Sequence, residues 1–440
     1  MKISVIGTGY LGAVHAACMA KIGHDVVAFD TNPARIEALS NGTAPFYEPG
    51  LEDLLTSVLA TGRLKFTNYA EEAIADAAVH FICVGTPQQP GSEAADLKYV
   101  NSAFQLVLDH ANCDGLVVGK STVPVGTAQR LQSAVSSGPA SSQLEVAWNP
   151  EFLREGTAIE DTLRPDRLIF GVESEYGEKL LLDVYSSLID GGVPYLTTNL
   201  PTSEMVKVAA NSFLATKISF INAMAEICEI ADADVVTLSR ALGYDDRIGR
   251  RFLNAGLGFG GGCLPKDIRA FGARAGELGA SDAVSFLREV DKINMRRREK
   301  AVTVAARLVG GSFLGVNVAV LGAAFKPNSD DVRDSPALNV AAAIHLKGAS
   351  VRVHDPKAVP NARAQFPTLT YCETVTAACA NADLIVLATE WEDYRAIDPV
   401  AFRSVVRTPR LLDTRNAVDS EFWTNAGWQV YALGRGAVTV

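Results

Sequence analysis

The stretch from Lys2 to Asp30 constrains the fold more than any other. Lys2 to Ile6 reads as a buried strand, Gly7-Thr8-Gly9-Tyr10-Leu11-Gly12 follows, and a small-residue helix spans Ala13 to Ile22. A second strand, Asp25 to Phe29, then ends at Asp30. GxGxxG alone means little. Set between a strand and a helix, with an acid closing the next strand, it marks a βαβ unit built to take a dinucleotide. The glycines allow a tight turn and let a pyrophosphate approach a helix N-terminus, whose free N–H groups and dipole attract anions. Asp30 suits the hydroxyls of an adenosine ribose and repels a 2′-phosphate, so NAD is expected over NADP. Arg35 lies close enough to leave that choice partly open. Gly7, Gly9, Tyr10, Leu11, Gly12, Asp30 and Arg35 are the expected cofactor residues of this unit.

The alternation continues. Val79 to Val84 is an apolar strand leading to Gly85-Thr86-Pro87, and Gly115 to Lys120 leads into Ser121-Thr122-Val123-Pro124-Val125-Gly126. Leu144 to Trp148 runs into Asn149-Pro150-Glu151-Phe152-Leu153-Arg154-Glu155-Gly156. Ligands of doubly wound sheets bind beyond the carboxyl ends of the strands, which is where these polar loops fall. From Thr202 to about Ala233 the pattern becomes one long helix, with Thr202 or Ser203 as its expected cap. Near Val316 a second α/β pattern begins. A strand to Leu321, then Gly322, a helix from Ala337 to Leu346 and a strand Val351 to His354 ending at Asp355 echo the first unit. Asp383 to Ala388 echoes Val79 to Val84. The expected fold class is α/β, with two Rossmann-like doubly wound domains joined by a long central helix and a helical middle domain. The expected boundaries are 1–200, 201–300 and 301–440. The second half lacks GxGxxG, so a different ligand is expected there. Lys326, Arg333 and Arg415 at its strand ends suit a phosphate-bearing one.

At 440 residues the chain is too long for one core. A net charge of −10 argues against a nucleic-acid partner, and no apolar run approaches a membrane span. The seven cysteines are scattered without a CxxC pair, as expected of reduced thiols in a cytoplasm. The six histidines show no ligand spacing, so no metal is expected and none stands out as a general base.

A second informative run is Gly258-Phe259-Gly260-Gly261-Gly262-Cys263-Leu264-Pro265-Lys266-Asp267. A thiol on a glycine-rich turn beside a cation is placed to ionise and attack; the plain alternative is a turn holding a small buried cysteine. Lys207 and Asn211 share one face of the long helix and suit an oxyanion or a proton relay, or else a surface ion pair. Glu151 and Glu155 share a face if the chain after Pro150 is helical, as an acidic first turn or as acid–base groups. Thr122 suits a water or substrate contact, or simple turn chemistry. NAD with a reactive cysteine is a specific pairing. An aldehyde has no hydride to give until a nucleophile adds to it; a cysteine adduct does, and leaves a thioester for water to cleave. An alcohol would then become a carboxylate with two NAD consumed.

These motifs, with Arg247-Ile248-Gly249 and Phe325-Lys326-Pro327 through Asp330-Asp331-Val332-Arg333, run in order along nearly the whole chain. In them the chain resembles the UDP-glucose/GDP-mannose dehydrogenase family. The resemblance implies an N-terminal NAD domain, a central helix mediating a homodimer or higher homo-oligomer, and a C-terminal domain for the nucleotide of a nucleotide-sugar substrate. It implies Cys263 as nucleophile, Lys207 and Asp267 with a water handling the proton and oxyanion, and Asn211 assisting. Glu151 would activate the hydrolytic water and Thr122 position it. Phe152, Leu153, Glu155, Phe252, Gly260, Lys326 and Arg415 map to substrate contacts, and Arg247 to one made across a subunit interface. Thr86, Thr122, Glu155, Lys266 and Arg333 map to the cofactor. Leu163-Arg164-Pro165-Asp166-Arg167 is closer to the UDP-glucose branch, with GDP-mannose and UDP-N-acetylhexosamines as alternatives. A two-electron hydroxy-acid dehydrogenase needs neither Cys263 nor the second α/β half, and a non-catalytic binder would not need Cys263, Lys207 and Asp267. One departure stands out: the family often has Ser directly before the cysteine, where this chain has Gly262.

Overall fold

The computed structural model describes residues 1–136 and 144–436. They fall into two compact units, the described residues of 1–210 with 273–279, and 211–272 with 280–436. Among the described residues no helix is long and apolar enough to cross a membrane.

The first unit is built on eight strands: β1 (Lys2–Ile6), β2 (Asp25–Phe29), β3 (Leu64–Thr67), β4 (Val79–Ile82), β5 (Gly115–Gly119), β6 (Leu144–Trp148), β7 (Leu168–Gly171) and β8 (Tyr195–Thr198). Their order is β3-β2-β1-β4-β5-β6-β7-β8. All pair in parallel except β6 with β7, which meet antiparallel at Trp148 and Gly171. The strands are apolar on both faces because helices cover both sides, as parallel sheets require. The helix Tyr10–Lys21 buries every residue from Gly12 to Ala20, which explains its run of alanines and its lack of a polar face.

The second unit carries β9 (Asn317–Leu321), β10 (Ser350–His354), β11 (Thr370–Tyr371), β12 (Leu384–Leu387), β13 (Arg410–Asp413) and β14 (Gln429–Ala432). Their order, β11-β10-β9-β12-β13-β14, repeats that of the first six strands, and every pair is parallel. Each sheet therefore has the dinucleotide-type order, with its topological switch beside the first strand of the set.

The repeat extends to single residues. Gly7 has φ +91°, and a Cβ there would lie 2.8 Å from Val84. Gly322 has φ +114°, and a Cβ there would lie 2.4 Å from Thr389 Oγ1. Each glycine lets the turn after the first strand press against the chain leaving the fourth. The acids match as well: Asp30 accepts the Thr8 amide at 2.9 Å, and Asp355 accepts the Ala323 and Ala324 amides at 2.8 and 3.0 Å.

The long helix spans Leu200–Ala231 and so begins earlier than its sequence pattern indicates. Asn199, not Thr202 or Ser203, supplies the cap, accepting the Thr202 amide at 2.9 Å. Pro201 falls in the first turn, where a missing N–H costs nothing. Ser203 donates instead to the Leu200 carbonyl.

Candidate active site

In the first unit the fingerprint has the geometry of an anion cradle. Gly9 caps the helix Tyr10–Lys21 without any side-chain hydrogen bond, and a Cβ on Gly9 would meet nothing within 4 Å. Gly12 is different: a Cβ there would lie 1.8 Å from the Gly7 carbonyl oxygen, so its glycine serves packing. Bare helix N–H groups, open space over Gly9 and an acid at the end of β2 fit a dinucleotide. Asp30 accepts from Thr8, Asn32 and Arg35, the last at 2.9 Å. Burial pushes this carboxyl up, but the amides of Thr8 and Asn32 and the Arg35 guanidinium outweigh it and hold it below its ordinary range. Tyr10 donates to Glu48, which also accepts the Gly156 and Ala158 amides at 2.6 and 2.7 Å. Nothing in the sequence pattern around Glu48 singles it out, yet it ties the fingerprint helix to the loop that carries Glu155.

Glu151 and Lys207 form an ion pair at 2.9 Å, nearly out of solvent. Glu151 also accepts the Leu153 amide at 2.8 Å. The Arg167 guanidinium lies 4.0 Å over the Phe152 ring, with the Lys207 ammonium 5.6 Å from the same ring. The chain after Pro150 is not helical; the next helix is Ala158–Leu163. Glu151 and Glu155 therefore do not share a helical face, and the acidic first turn imagined there does not exist. Glu151 folds back on Leu153, and Gly156 at φ +83° turns the chain before a helix can start. Thr122 is half-buried, and its carbonyl accepts the Thr86 hydroxyl at 2.8 Å.

In the second unit Cys263 is exposed and immediately precedes the helix Leu264–Glu277. The Asp267 amide donates to the Cys263 carbonyl at 3.0 Å, the first bond of that helix. The thiol thus sits at the positive end of a fourteen-residue helix. Pro265 lies in the first turn, where proline is at home. Buried Asp267 accepts Asn211 Nδ2 at 2.7 Å on one oxygen and Lys266 Nζ at 2.5 Å on the other.

The glycines before the nucleophile are claimed by the protein itself. A Cβ at Gly258 would fall 2.1 Å from Asn294 Oδ1, at Gly260 2.4 Å from the Asp334 carbonyl, at Gly261 2.9 Å from the Phe325 ring, and at Gly262 2.2 Å from Arg333 Cζ. Asn294 pairs with both the amide and the carbonyl of Phe259, at 2.7 and 3.0 Å, as a strand would. Arg298 joins the Phe259 carbonyl to Asp334. Arg415 donates to the carbonyls of Ala388, Gly258 and Phe325 at 2.8, 3.2 and 3.3 Å. Arg333 is forked onto Asp331, and Lys326 lies 5.5 Å from the Phe325 ring. Phe252 is held at φ +64°, a strained setting for an aromatic residue. Arg247 is exposed and pairs with its neighbour Asp245.

Sequence reasoning passed over Lys120. Its ammonium is buried and donates to Asn149 Oδ1 at 2.9 Å and to the Tyr185 hydroxyl oxygen at 3.3 Å. The signal was there: a lysine closing an otherwise apolar strand.

Two dinucleotide-type sheets, one with an open glycine cradle, and an exposed thiol at a helix head define a nicotinamide-dependent dehydrogenase. Models of the UDP-glucose/GDP-mannose dehydrogenase family match the NAD binding domain at 1–189, the central domain at 201–296 and the UDP binding domain at 319–420. The UDP-glucose 6-dehydrogenase of Rickettsia typhi is 41% identical, over 99% of each chain. A solved UDP-glucose dehydrogenase from Pyrobaculum islandicum superposes with a TM-score of 0.90 at 39% identity, covering 99% of this chain and 98% of that one. The UDP-D-ManNAc dehydrogenase of Pyrococcus horikoshii follows with a TM-score of 0.86 at 27% identity and 99% coverage of both. The chain belongs to the UDP-glucose/GDP-mannose dehydrogenase family, and it is an NAD-dependent oxidoreductase that takes a nucleotide sugar.

Proposed function

We propose that this enzyme oxidises the C6 alcohol of UDP-glucose to the carboxylate, giving UDP-glucuronate through an aldehyde and a thioester on Cys263. The setting of Cys263 carries the reading: an exposed thiol at a helix head, on a loop locked by its own packing, with Asp267 held by Asn211 and Lys266 in the next turn. Relatives named for UDP-glucose at about two-fifths identity favour this sugar over the UDP-D-ManNAc reading, whose representative is 27% identical.

Gly7, Gly9, Tyr10, Leu11, Gly12, Asp30 and Arg35 with Thr86, Thr122, Glu155, Lys266 and Arg333 would hold NAD, and two molecules in turn would each accept one hydride. Lys207 and Asp267 hold the water that takes the proton from the C6 hydroxyl. The Cys263 thiolate then adds to the aldehyde carbon, with Lys207 and Asn211 stabilising the oxyanion of the thiohemiacetal. Departure of the second hydride leaves a thioester. Glu151 takes a proton from water oriented by Thr122, and attack on the carbonyl releases the Cys263 thiolate. Phe152, Leu153, Glu155, Phe252, Gly260, Lys326 and Arg415 hold the sugar nucleotide. Arg247, paired here with Asp245, reaches substrate bound to a second copy in a homodimer. Exposed Phe213, Phe220 and Ile227 support that dimer, because their spacing of seven puts them on one stripe of the long helix.

The test is stoichiometric. Purified protein with UDP-glucose and NAD should form two NADH per sugar, and Cys263→Ala should make no acid while still binding NAD. One NADH per substrate, free aldehyde as the end product, or normal uronate from the variant would sink the mechanism. GDP-mannose and UDP-N-acetylmannosamine in the same assay decide the sugar.

A further inference from the structure

We propose that Lys120 is a positioning residue for the hydrolytic half of the reaction, binding the ends of β5 and β6 together so that Thr122 and Glu151 keep a fixed relation. The inference rests on the roles proposed above for those two residues.

Lys120 is the first residue beyond β5, two before Thr122; Asn149 is the first beyond β6, two before Glu151. Lys120 Nζ donates to Asn149 Oδ1 at 2.9 Å, and the Tyr185 hydroxyl donates to the same oxygen at 2.6 Å. Asn149 Nδ2 donates to the Ile169 carbonyl at 3.0 Å, and its backbone amide to the Gly119 carbonyl at 2.9 Å. Both ends of the Asn149 side-chain amide and its backbone N–H are thus engaged, with the lysine as the charged partner. The ammonium also lies 5.8 Å from each of the Phe81 and Tyr185 rings. Sealing a lysine inside a sheet is costly unless it is paired. Among the described residues its partners are an amide, a phenol and two ring faces rather than a carboxylate.

The charges acting on it come from several elements: Cys83 after β4, Glu151 after β6 and Lys207 on the long helix. Its own charge acts on His15 of the fingerprint helix. Burial lowers this ammonium to about 8, against the opposing pull of Cys83 and Glu151. A lysine kept only for strand packing would be replaceable by an apolar residue of equal length. One kept to hold Asn149 would not.

The test compares Lys120→Met and Lys120→Gln with the parent, using UDP-glucose and NAD. Lys120→Met should lower kcat by about ten- to a hundredfold, the range for misplaced catalytic groups, with both KM values within about threefold of the parent. Mass spectrometry should find an acyl adduct building up on Cys263, since the thioester forms but is cleaved slowly. Hydrogen exchange should quicken at 120–124 and 149–153. Lys120→Gln, which keeps an amide donor, should recover part of the rate. Should Lys120→Met not fold, Lys120→Gln and Tyr185→Phe, which removes the second donor to Asn149, carry the same readouts. Unchanged kcat with unchanged exchange overturns the proposal, as does slowing of both oxidations without adduct. Exchange does not depend on the chemistry, whereas a parent that forms one NADH per sugar would fault the proposed reaction instead.

Discussion

Gly258 and Gly262 look alike in sequence, but their surroundings set very different penalties for a side chain. At Gly258 the backbone is at φ +88°, and a Cβ would strike Asn294 Oδ1, an atom fixed by its bond to Phe259. At Gly262 the backbone is ordinary and the obstacle is the far end of Arg333, which can swing away. Gly258→Ala should therefore lose roughly 2–3 kcal/mol of stability, the scale of combined backbone strain and overpacking. Gly262→Ala should lose under about 1 kcal/mol. Paired urea denaturation curves check this, and equal losses would contradict it. The sequence announced a glycine-rich loop near a thiol but not who would occupy the space over each glycine. Asn294, Phe325, Arg333 and Asp334 come from distant stretches of chain, and no local pattern ties them to the loop. A sugar lying on the loop is therefore not needed to explain its glycines.

Elements were more legible than contacts. β6 falls where its apolar run indicates, and β1, β2, β4 and β5 agree to within two residues. Periodicity sees which residues are buried, and strands of a parallel sheet are buried throughout. Termini were harder, because caps are chosen by single atoms. Glu204, next to the expected cap residues of the long helix, accepts the Gly126 and Ala128 amides, both at 2.7 Å, at the head of the helix Thr127–Ser136. Burial raises its carboxyl to about 7, opposed by those amides and by the Arg274 charge. A carboxyl that holds its proton more tightly when folded contributes most at low pH, and that contribution is lost as pH rises from the unfolded value through about 7. Parent stability relative to Glu204→Gln should thus fall between about pH 5 and 7 and level off above. Urea midpoints across that range read the slope; a rising or flat difference would refute it.

At the scale of the whole molecule, the internal repeat was visible from two glycines and two acids, and the second sheet repeats the order of the first six strands of the first. The exposed stripe on the long helix was not visible, because apolar residues at helical spacing read as core until their surroundings are known. If that stripe joins two copies, Phe220→Glu should shift sedimentation from dimer to monomer at micromolar concentration and lower activity, since Arg247 would lose its partner's substrate. A parent already monomeric at that concentration would rule this out. The repeat itself has a further consequence. Counted from the matching glycines, Gly9 in the first half corresponds to Ala324 in the second, where the amide is tied to Asp355 and the residue is fully buried. The helix of the first half starts at Tyr10, directly after the turn, whereas that of the second half starts only at Pro336, so no bare helix N-terminus stands over the second turn. Two turns of like geometry can then serve different ligands in the same chain, and cofactor and substrate need never compete for one berth.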